Sequence, residues 1–264
     1  MYETLELERR GAAAIIRLNR PEALNAWNAT LGTELLDAVQ GAAGDDDVRA
    51  VCIAGKGRAF SSGADLRDLS ARETTPDGHP DVYTALTTIY HPILTQLREM
   101  PKPVVAAVNG AAAGIGCSLA LSCDLVVAAE SAYLLLAFVN IGLVPDGGAM
   151  ALVSARAGTA RAAEMAMLGR RISASDARRW GLVNHVLPDH ELEDYVLELV
   201  DSLAAGPTRS YAGAKRQLNA WAYSRLGEQL ELEARLQQQM VESADFREGV
   251  AAFLEKRVAK FAGE

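Results

Sequence analysis

Apolar residues in the first two-thirds of the chain follow two alternating patterns, short apolar runs and longer stretches with helical spacing. The short runs predict strands, and three of the four are almost continuously apolar, as is typical of buried strands. These strands are Ala13–Leu18, residues 50–53, Val104–Val108 and residues 125–128. Apolar positions three and four apart predict amphipathic helices over residues 31–39 and 82–97. The alternation of strands with helices indicates an α/β fold.

The last third of the chain has a different pattern. From Asp189 onward it is helical, and residues 207–261 contain almost no β signal and many charges between apolar positions. We expect the apolar positions of such a region to pack against another part of the protein, and a partner subunit is one candidate. We therefore divide the chain into a core, residues 1–205, and a helical region, residues 206–264. Residues 74–80, with two prolines and a glycine, form the segment that we expect to be most flexible.

Composition restricts the class of protein. Of the 264 residues, 50% are hydrophobic and 23% are charged, which excludes a disordered chain. The net charge of −8 offers no overall basic face for nucleic acid. No apolar stretch approaches the roughly 18 residues of a membrane span. Cys52, Cys117 and Cys123 lack CxxC spacing and indicate buried thiols in a reducing compartment, so we expect a soluble, cytoplasmic protein.

Residues 109–116, NGAAAGIG, follow a predicted strand and open an apolar helix. A dinucleotide fingerprint requires that context, and Tyr211 and Lys215 have the spacing of the catalytic pair of a short-chain dehydrogenase. In such dehydrogenases the glycine loop follows the first strand, whereas here residues 1–108, with strands of their own, precede it. We therefore disfavour a dehydrogenase. Glycines at a strand-to-helix junction either let backbone N–H groups approach an anion closely or serve only tight packing.

Residues 58–66, RAFSSGADL, form a second segment of small residues after a predicted strand, and they lead into an expected short helix. Together with Gly114-Ile115-Gly116, this segment resembles the two-part signature of the crotonase superfamily, also called the enoyl-CoA hydratase/isomerase family. Three further blocks match the family in the right order, so the resemblance covers nearly the whole chain. They are Leu18-Asn19-Arg20-Pro21 with Leu24-Asn25-Ala26, Cys123-Asp124 with Ile141-Gly142-Leu143-Val144-Pro145, and Glu248-Gly249 with Phe253-Leu254-Glu255-Lys256-Arg257.

The resemblance implies a crotonase spiral of ββα turns, whose helical C-terminal region packs between the subunits of a homotrimer or of a dimer of trimers. It implies an acyl-CoA substrate whose thioester carbonyl is held as an enolate-like oxyanion by two backbone N–H groups. The matching donors are the amides of Ala64 and Ile115, and each contributes about 3–4 kcal/mol. Ile115 replaces the middle glycine of three, which leaves the amide in place. No cofactor is expected, because coenzyme A is part of the substrate.

The resemblance also implies where coenzyme A lies. Two loops would border the adenine and the pantetheine, and basic side chains would meet the phosphates, for which the two-donor fork of Arg is suited. The expected contacts are Ala23, Leu24, Arg58, Asp65, Leu66, Arg67, Gly114, Phe138 and Lys256 of a neighbouring subunit. A solvated surface charge is the alternative interpretation of each basic residue.

The acids indicate which reaction is favoured. Hydratases of this family use two glutamates, and Ser118 and Phe138 hold their positions here, so ordinary hydration is disfavoured. Asp146 stands where the isomerases of the phenylacetate pathway, which the block 137–146 resembles, also have an aspartate. One carboxylate suffices for isomerisation, because it takes a proton from one carbon and returns it to another. Alternatively, Asp146 only caps a helix that starts near Gly147.

Other functions stay open. A family dehalogenase uses an aspartate at this place as a nucleophile, with a tryptophan that Phe138 replaces and a histidine base for which His91 is only loosely placed. A residual hydratase or other lyase is a second alternative, and a non-catalytic acyl-CoA or RNA binder is a third.

The acyl group is also open. The substrate is either a 3-enoyl-CoA, shifted to its 2-enoyl isomer, or a ring epoxide of phenylacetyl-CoA, expanded to an oxepin. One helical stripe is interpreted either as a wall of the acyl pocket or as plain core. It comprises Tyr83, Leu86, Tyr90 and Leu94.

Overall fold

The chain forms two sheets, helices that cover them and a helical C-terminal third. The computed structural model describes residues 2–67 and 74–264. The strands there are β1 Leu5–Arg10, β2 Ala13–Leu18, β3 Ala50–Gly55, β4 Ala59–Ser61, β5 Val104–Val108, β6 Ala111–Ala113, β7 Leu125–Ala129, β8 Tyr133–Leu135, β9 Ile172–Ser173 and β10 His185–Leu187. The helices there are α1 Ala29–Gly44, α2 Val82–Ala85, α3 His91–Glu99, α4 Ile115–Ser122, α5 Ala149–Ala157, α6 Thr159–Leu168, α7 Ala174–Trp180, α8 Leu192–Ala205, α9 Thr208–Ala222, α10 Leu226–Val241 and α11 Ala244–Leu254.

The chain enters the two sheets in alternation. The larger sheet has the order β1-β2-β3-β5-β7-β10, and the smaller sheet has the order β4-β6-β8-β9. Strands β3, β5 and β7 are parallel neighbours in the first sheet, and β4, β6 and β8 are parallel neighbours in the second. Parallel neighbours need crossover connections. Each turn of the chain therefore adds one strand to each sheet before a helix returns it, which is a spiral of ββα turns.

The predicted elements are confirmed, with small differences at their ends. Strands β2 and β5 have the predicted bounds, whereas β3 and β7 extend to Gly55 and Ala129. The helix predicted over residues 82–97 is interrupted by a π turn, Leu86–Tyr90, between α2 and α3. The short helix expected after Leu66 falls on residues outside the described part of the chain.

Residues 74–80, the segment expected to be most flexible, form an ordered turn with internal hydrogen bonds. Thr74 and Pro80 form an isolated antiparallel bridge, and the Thr75 amide donates to the His79 carbonyl oxygen at 2.8 Å. The prolines and the glycine therefore shape a hydrogen-bonded turn.

The C-terminal third is helical, as predicted. Helix α9 is anchored on the core by Lys215, whose buried ammonium donates to the carbonyl oxygens of Leu97 and Lys102 and lies 2.8 Å from Asp124 Oδ2. Burial lowers the pKa of Lys215. This role as a structural anchor argues against the dehydrogenase interpretation of Tyr211 and Lys215.

The three cysteines are free and fully buried, as expected. Burial raises the pKa of the Cys52 and Cys117 thiols to about 12, so both stay protonated at neutral pH. Within the described residues, no helix is both long enough and apolar enough to cross a bilayer.

Candidate active site

Two glycines with positive φ bring the predicted oxyanion donors side by side. Gly63 (φ 99°) follows β4 and Gly114 (φ 54°) follows β6, and these two strands are parallel neighbours. A Cβ added at Gly114 would lie 3.7 Å from the Gly63 Cα, and a Cβ added at Gly63 would lie 3.0 Å from the Ala113 carbonyl oxygen, so the two backbones leave little room for a side chain between them. The amides that follow these glycines, those of Ala64 and Ile115, therefore lie on adjacent turns of the spiral.

Both amides are available as donors. Trp27 bonds to Gly63 and Asp65 on either side of Ala64, so the Ala64 N–H points away from that pairing. Ile115 is the first residue of α4, and its N–H has no acceptor within the helix. In the described part of the chain, neither amide donates to a backbone or side-chain acceptor. Two available donors on neighbouring strands of one sheet are suited to one shared oxyanion.

The loop of residues 18–26 packs against residues 61–65, which carry Ala64 and are called here the first oxyanion segment; residues 113–116, which carry Ile115, are the second. The Ser62 amide donates to the Leu24 carbonyl oxygen at 3.0 Å, and its hydroxyl donates to that of Ala23 at 3.4 Å. Leu24 and Asn25 both have a φ of 54°, and the buried Asn25 amide donates to the Ala59 carbonyl oxygen at 2.8 Å. The structure thus brings together the two loops that are expected to border coenzyme A.

Asp65 links these two loops through an ion pair with Arg20. Its buried carboxylate lies 3.3 Å from the Arg20 guanidinium and 3.2 Å from that of Arg67. Although burial acts to raise the pKa of Asp65, hydrogen bonds from Arg67 and Arg20 hold it below its usual value. Sequence reasoning missed Arg20 as the partner.

Asp146 is buried next to the second oxyanion segment. Its exposed fraction is 6%, and a Cβ added at the following residue, Gly147, would lie 2.6 Å from the Ile115 Cδ1 atom. The Ser118 hydroxyl of α4 donates to the Asp146 carbonyl oxygen at 2.8 Å. Helix α5 begins at Ala149 with Gly148 at its N-cap position, so Asp146 is not the N-cap residue. The structure therefore does not support the capping interpretation of Asp146, and its catalytic role stays a prediction.

Helix α10 contributes two buried polar side chains that sequence reasoning missed. Gln237 Nε2 donates to Asp146 Oδ2 at 2.7 Å. The Glu233 carboxylate accepts from the Gly148 amide at 2.9 and 3.0 Å. Both residues lie in the stripe of α10 that otherwise holds Leu230, Ala234 and Val241, and a Glu and a Gln four residues apart in an apolar stripe were the available signal.

A histidine and two carboxyl groups share this interior. His91 Nε2 of α3 lies 3.0 Å from Glu233 Oε1, and both side chains are buried. Burial raises the pKa of Glu233 to about 8, against hydrogen bonds from Gly148 and Gly147 that act to lower it. Burial also lowers the pKa of His91, although the charge of Asp146 acts to raise it. At neutral pH the site therefore holds a neutral Glu233 beside a neutral His91.

His91 belongs to the same buried cluster as Asp146, whose charge acts on its pKa. It is the first residue of α3, directly after the π turn, and its Nε2 faces Glu233 of α10. Phe138, which replaces the tryptophan of the dehalogenase, is buried with its Cζ 3.8 Å from a Cβ added at Gly114. Phe138 therefore lies next to Gly114, and its contact with the acyl group stays a prediction.

The other predicted contacts lie at the surface or in the core. Arg58, Arg67 and Lys256 are exposed, and Leu66 is half-buried next to Asp65. In the helical stripe, Leu86, Tyr90 and Leu94 are buried, whereas Tyr83 is half-buried and donates its hydroxyl hydrogen to Glu231. Within residues 2–67 and 74–264, no group of three or more His, Cys, Asp or Glu side chains is arranged to hold a metal ion.

Comparison with known proteins adds three likenesses over almost the full length. The enoyl-CoA hydratase/isomerase family model matches residues 8–264. A Rhodobacter capsulatus protein named probable enoyl-CoA hydratase is 43% identical over 99% of both chains. The 1,2-epoxyphenylacetyl-CoA isomerase of Escherichia coli is 40% identical over 94% of both chains.

The crystal structure of an enoyl-CoA hydratase from Mycobacterium avium subsp. paratuberculosis superimposes with a TM-score of 0.89 at 37% sequence identity. The match covers 99% of this chain and 100% of that one. This likeness confirms the predicted α/β spiral.

Proposed function

The chain belongs to the enoyl-CoA hydratase/isomerase family, and we propose that within this family it is an acyl-CoA isomerase with Asp146 as its base. The observation that carries the proposal is the position of Asp146. Its carboxylate is buried, and the segment that bears it packs on the side chain of Ile115, one of the two oxyanion donors. A base and an oxyanion hole that adjoin are the two parts that proton transfer next to a thioester requires.

The oxyanion hole would act on the thioester carbonyl. The N–H groups of Ala64 and Ile115 donate to the carbonyl oxygen, which becomes more negative as the enolate forms. Because both donors are fixed in the backbone, they do not have to reorganise during the reaction. Coenzyme A is part of the substrate, and we propose that no other cofactor takes part.

The proton would move between two carbons of the acyl chain. With a 3-enoyl-CoA, the Asp146 carboxylate removes a proton from C2, and the electron pair of that bond is delocalised over the dienolate. The same carboxyl then delivers the proton to C4, so the double bond moves from C3–C4 to C2–C3. One carboxyl group suffices, because the proton that leaves is the proton that returns.

Two substrates fit the proposal. One is a 3-enoyl-CoA, and the other is the ring epoxide of phenylacetyl-CoA, which would be expanded to an oxepin. The Escherichia coli relative named 1,2-epoxyphenylacetyl-CoA isomerase supports the second. Buried Phe138 beside the oxyanion segment is compatible with an aryl or an aliphatic group.

Coenzyme A would lie along the loops at Ala23–Leu24 and Asp65–Leu66, which pack on each other. The exposed side chains of Arg58 and Arg67 are available to its phosphates, and Lys256 would reach them from a neighbouring subunit of a homotrimer or dimer of trimers. The free, buried cysteines support a cytoplasmic location.

The test compares the wild type with Asp146→Asn, which keeps an oxygen acceptor for Gln237 and loses the base. We expect kcat to fall about 10²- to 10⁴-fold, with 3-hexenoyl-CoA or 1,2-epoxyphenylacetyl-CoA as substrate. Asp46→Asn, the same substitution in an exposed turn, is the control and keeps full activity.

Unchanged isomerisation by Asp146→Asn would rule out the proposed base. The Rhodobacter capsulatus relative, named probable enoyl-CoA hydratase, favours hydration as the second candidate function. Crotonyl-CoA is therefore included as a substrate. Water addition faster than isomerisation would make the protein a hydratase, and the absence of turnover together with acyl-CoA binding would make it a binding protein.

A further inference from the structure

Helix α10 holds the base-bearing segment through two buried side chains. Glu233 and Gln237 are each 1% exposed, and they are one helical turn apart on the face that meets residues 144–148. Gln237 bonds to the Val144 amide and to the Asp146 carboxylate, and Glu233 bonds to the Gly148 amide. The segment is therefore held at its start, at its middle and at its end.

The orientation of the Gln237 side-chain amide follows from these contacts. The Val144 N–H can only donate, so the atom that accepts from it at 3.3 Å is the Gln237 Oε1. The Nε2 atom is then the one that faces Asp146 Oδ2, 2.7 Å away. A donor at this distance stabilises the charged form of a carboxyl group and fixes one of its oxygens in space.

We infer that Gln237 is a positioning residue, which keeps Asp146 ionised and oriented toward the acyl chain and so sets the lower pH limit of the isomerisation. The inference rests on the proposed function of Asp146 as the base. It assigns a role in the reaction to a helix of the C-terminal third, which is far from the two oxyanion segments in sequence.

Three helices place polar or titratable groups around Asp146 in the described part of the chain. Helix α3 contributes His91, helix α10 contributes Glu233, and the charge of Glu231 also acts on His91. Helix α4 contributes Ser118, whose hydroxyl bonds to the Asp146 backbone and leaves the carboxylate to other partners. Because burial lowers the pKa of His91 and raises that of Glu233, neither side chain places a full charge beside Asp146 at pH 7.

The experiment measures the protonation of Asp146 directly and through activity. Asp residues are labelled with carbon-13 at Cγ, and the Asp146 signal is identified by its loss in Asp146→Asn. The wild type is compared with Gln237→Leu, which removes the donor at similar size, and with Gln239→Leu. Gln239 is exposed on the same helix and serves as the matched control. The pH profile of kcat/KM is recorded for each protein.

In Gln237→Leu, we expect the titration of Asp146 and the acidic limb of the kcat/KM profile to move up together by about one to two pH units. Gln239→Leu leaves both where the wild type has them. If Gln237→Leu does not fold, Gln237→Met replaces it, because it preserves the length of the side chain, removes the amide donor and adds no charge. Loss of activity without movement of either titration would reduce Gln237 to a structural residue and overturn the inference.

Failure of the inference is distinct from failure of the proposed function. If Asp146→Asn is inactive and Gln237→Leu leaves the Asp146 titration unchanged, the base stands and the positioning role is wrong. If the titration moves in Gln237→Leu while Asp146→Asn keeps full activity, Gln237 controls the charge of a carboxylate that is not the base. In that case the catalytic claim for both residues is withdrawn.

Discussion

Glu233 is a buried acid whose neighbours suit its neutral form. It is 1% exposed, and its partners are the backbone N–H groups of Gly148 and Gly147 and the imidazole of His91, none of which carries a full positive charge at neutral pH. Desolvation therefore decides the protonation state and raises the pKa of Glu233 to about 8. A neutral carboxyl can donate to His91 and accept from Gly148 at once, as a glutamine amide can.

The pH dependence of stability tests this state. Because Glu233 has a pKa of about 8 in the fold and 4.5 as its ordinary value, the folded protein binds one more proton than the unfolded chain between those values. Its contribution to stability is complete below pH 4.5 and is lost as pH rises toward 8, at up to about 1.4 kcal/mol per pH unit.

Glu233→Gln mimics the neutral acid and removes this slope. We therefore expect the variant to gain stability relative to the wild type as pH rises from 5 to 8, as measured by urea unfolding at each pH. Glu228→Gln, on the exposed side of the same helix, is the control. A constant difference between Glu233→Gln and the wild type across this range would mean that Glu233 is ionised in the fold.

The short segment from Val144 to Gly148, which bears the proposed base, is shaped by the helices around it. It is too short to hold its own shape, so its conformation comes from Gln237 and Glu233 on α10 and from Ser118 on α4. Gly147 (φ 65°) lets the backbone turn tightly against the Ile115 side chain. A glycine is needed here for two reasons, the left-handed backbone and the absence of room for a Cβ.

A comparison of Gly147→Ala with Gly158→Ala separates the effect of the left-handed backbone from the effect of the missing space for a Cβ. Both glycines have positive φ, but a Cβ at Gly147 would lie 2.6 Å from the Ile115 Cδ1 atom, whereas a Cβ at Gly158 would have nothing within 4 Å. Both variants should lose about 1–3 kcal/mol of stability from backbone strain.

We expect isomerase activity to fall at least about tenfold only in Gly147→Ala, because the clash displaces Asp146 from the oxyanion hole. Steady-state kinetics and urea unfolding of both variants provide the measurement. Equal activities in the two variants would show that the contact with Ile115 does not position the base.

At the scale of the whole molecule, the C-terminal region exposes apolar side chains that the single chain does not cover. Val258 is 86% exposed, and Phe253, Leu254 and Phe261 are also exposed. The tail that carries two of them is held on α11, because the Asp245 carboxylate accepts from the amides of Ala262 and Gly263. A fixed, apolar surface of this kind is typical of a protein–protein interface.

We expect light scattering to give a mass of three or six times 28.1 kDa for the wild type, in agreement with the proposed trimer or dimer of trimers. The double variant Val258→Asp, Phe261→Asp should dissociate, because burial of two carboxylates in an interface costs more than the contacts return. A variant of two other exposed positions, Arg9→Asp and Glu22→Lys, is the control. A monomeric wild type would contradict the proposed assembly.

The sequence by itself determined the family and the α/β spiral, and it located the two glycine segments. These features depend on local patterns, since a buried strand is apolar along its length and a glycine that starts a helix is visible in the printed letters. Strands β2 and β5 have the predicted bounds for that reason, and the family match over residues 8–264 confirms the resemblance carried by the two glycine segments. The roles assigned to Ala64, Ile115 and Asp146 stay predictions.

Only the tertiary structure decided what surrounds Asp146. Gln237 is 91 positions away from it along the chain, and Glu233 is 85 positions away from Gly148, yet each pair is in hydrogen-bond contact. No local pattern specifies such a pair, because the contact depends on how α10 folds back over α4 and α5. The protonation state of Glu233 also depends on the tertiary structure. The desolvation that raises its pKa comes from side chains that only the complete fold assembles around it.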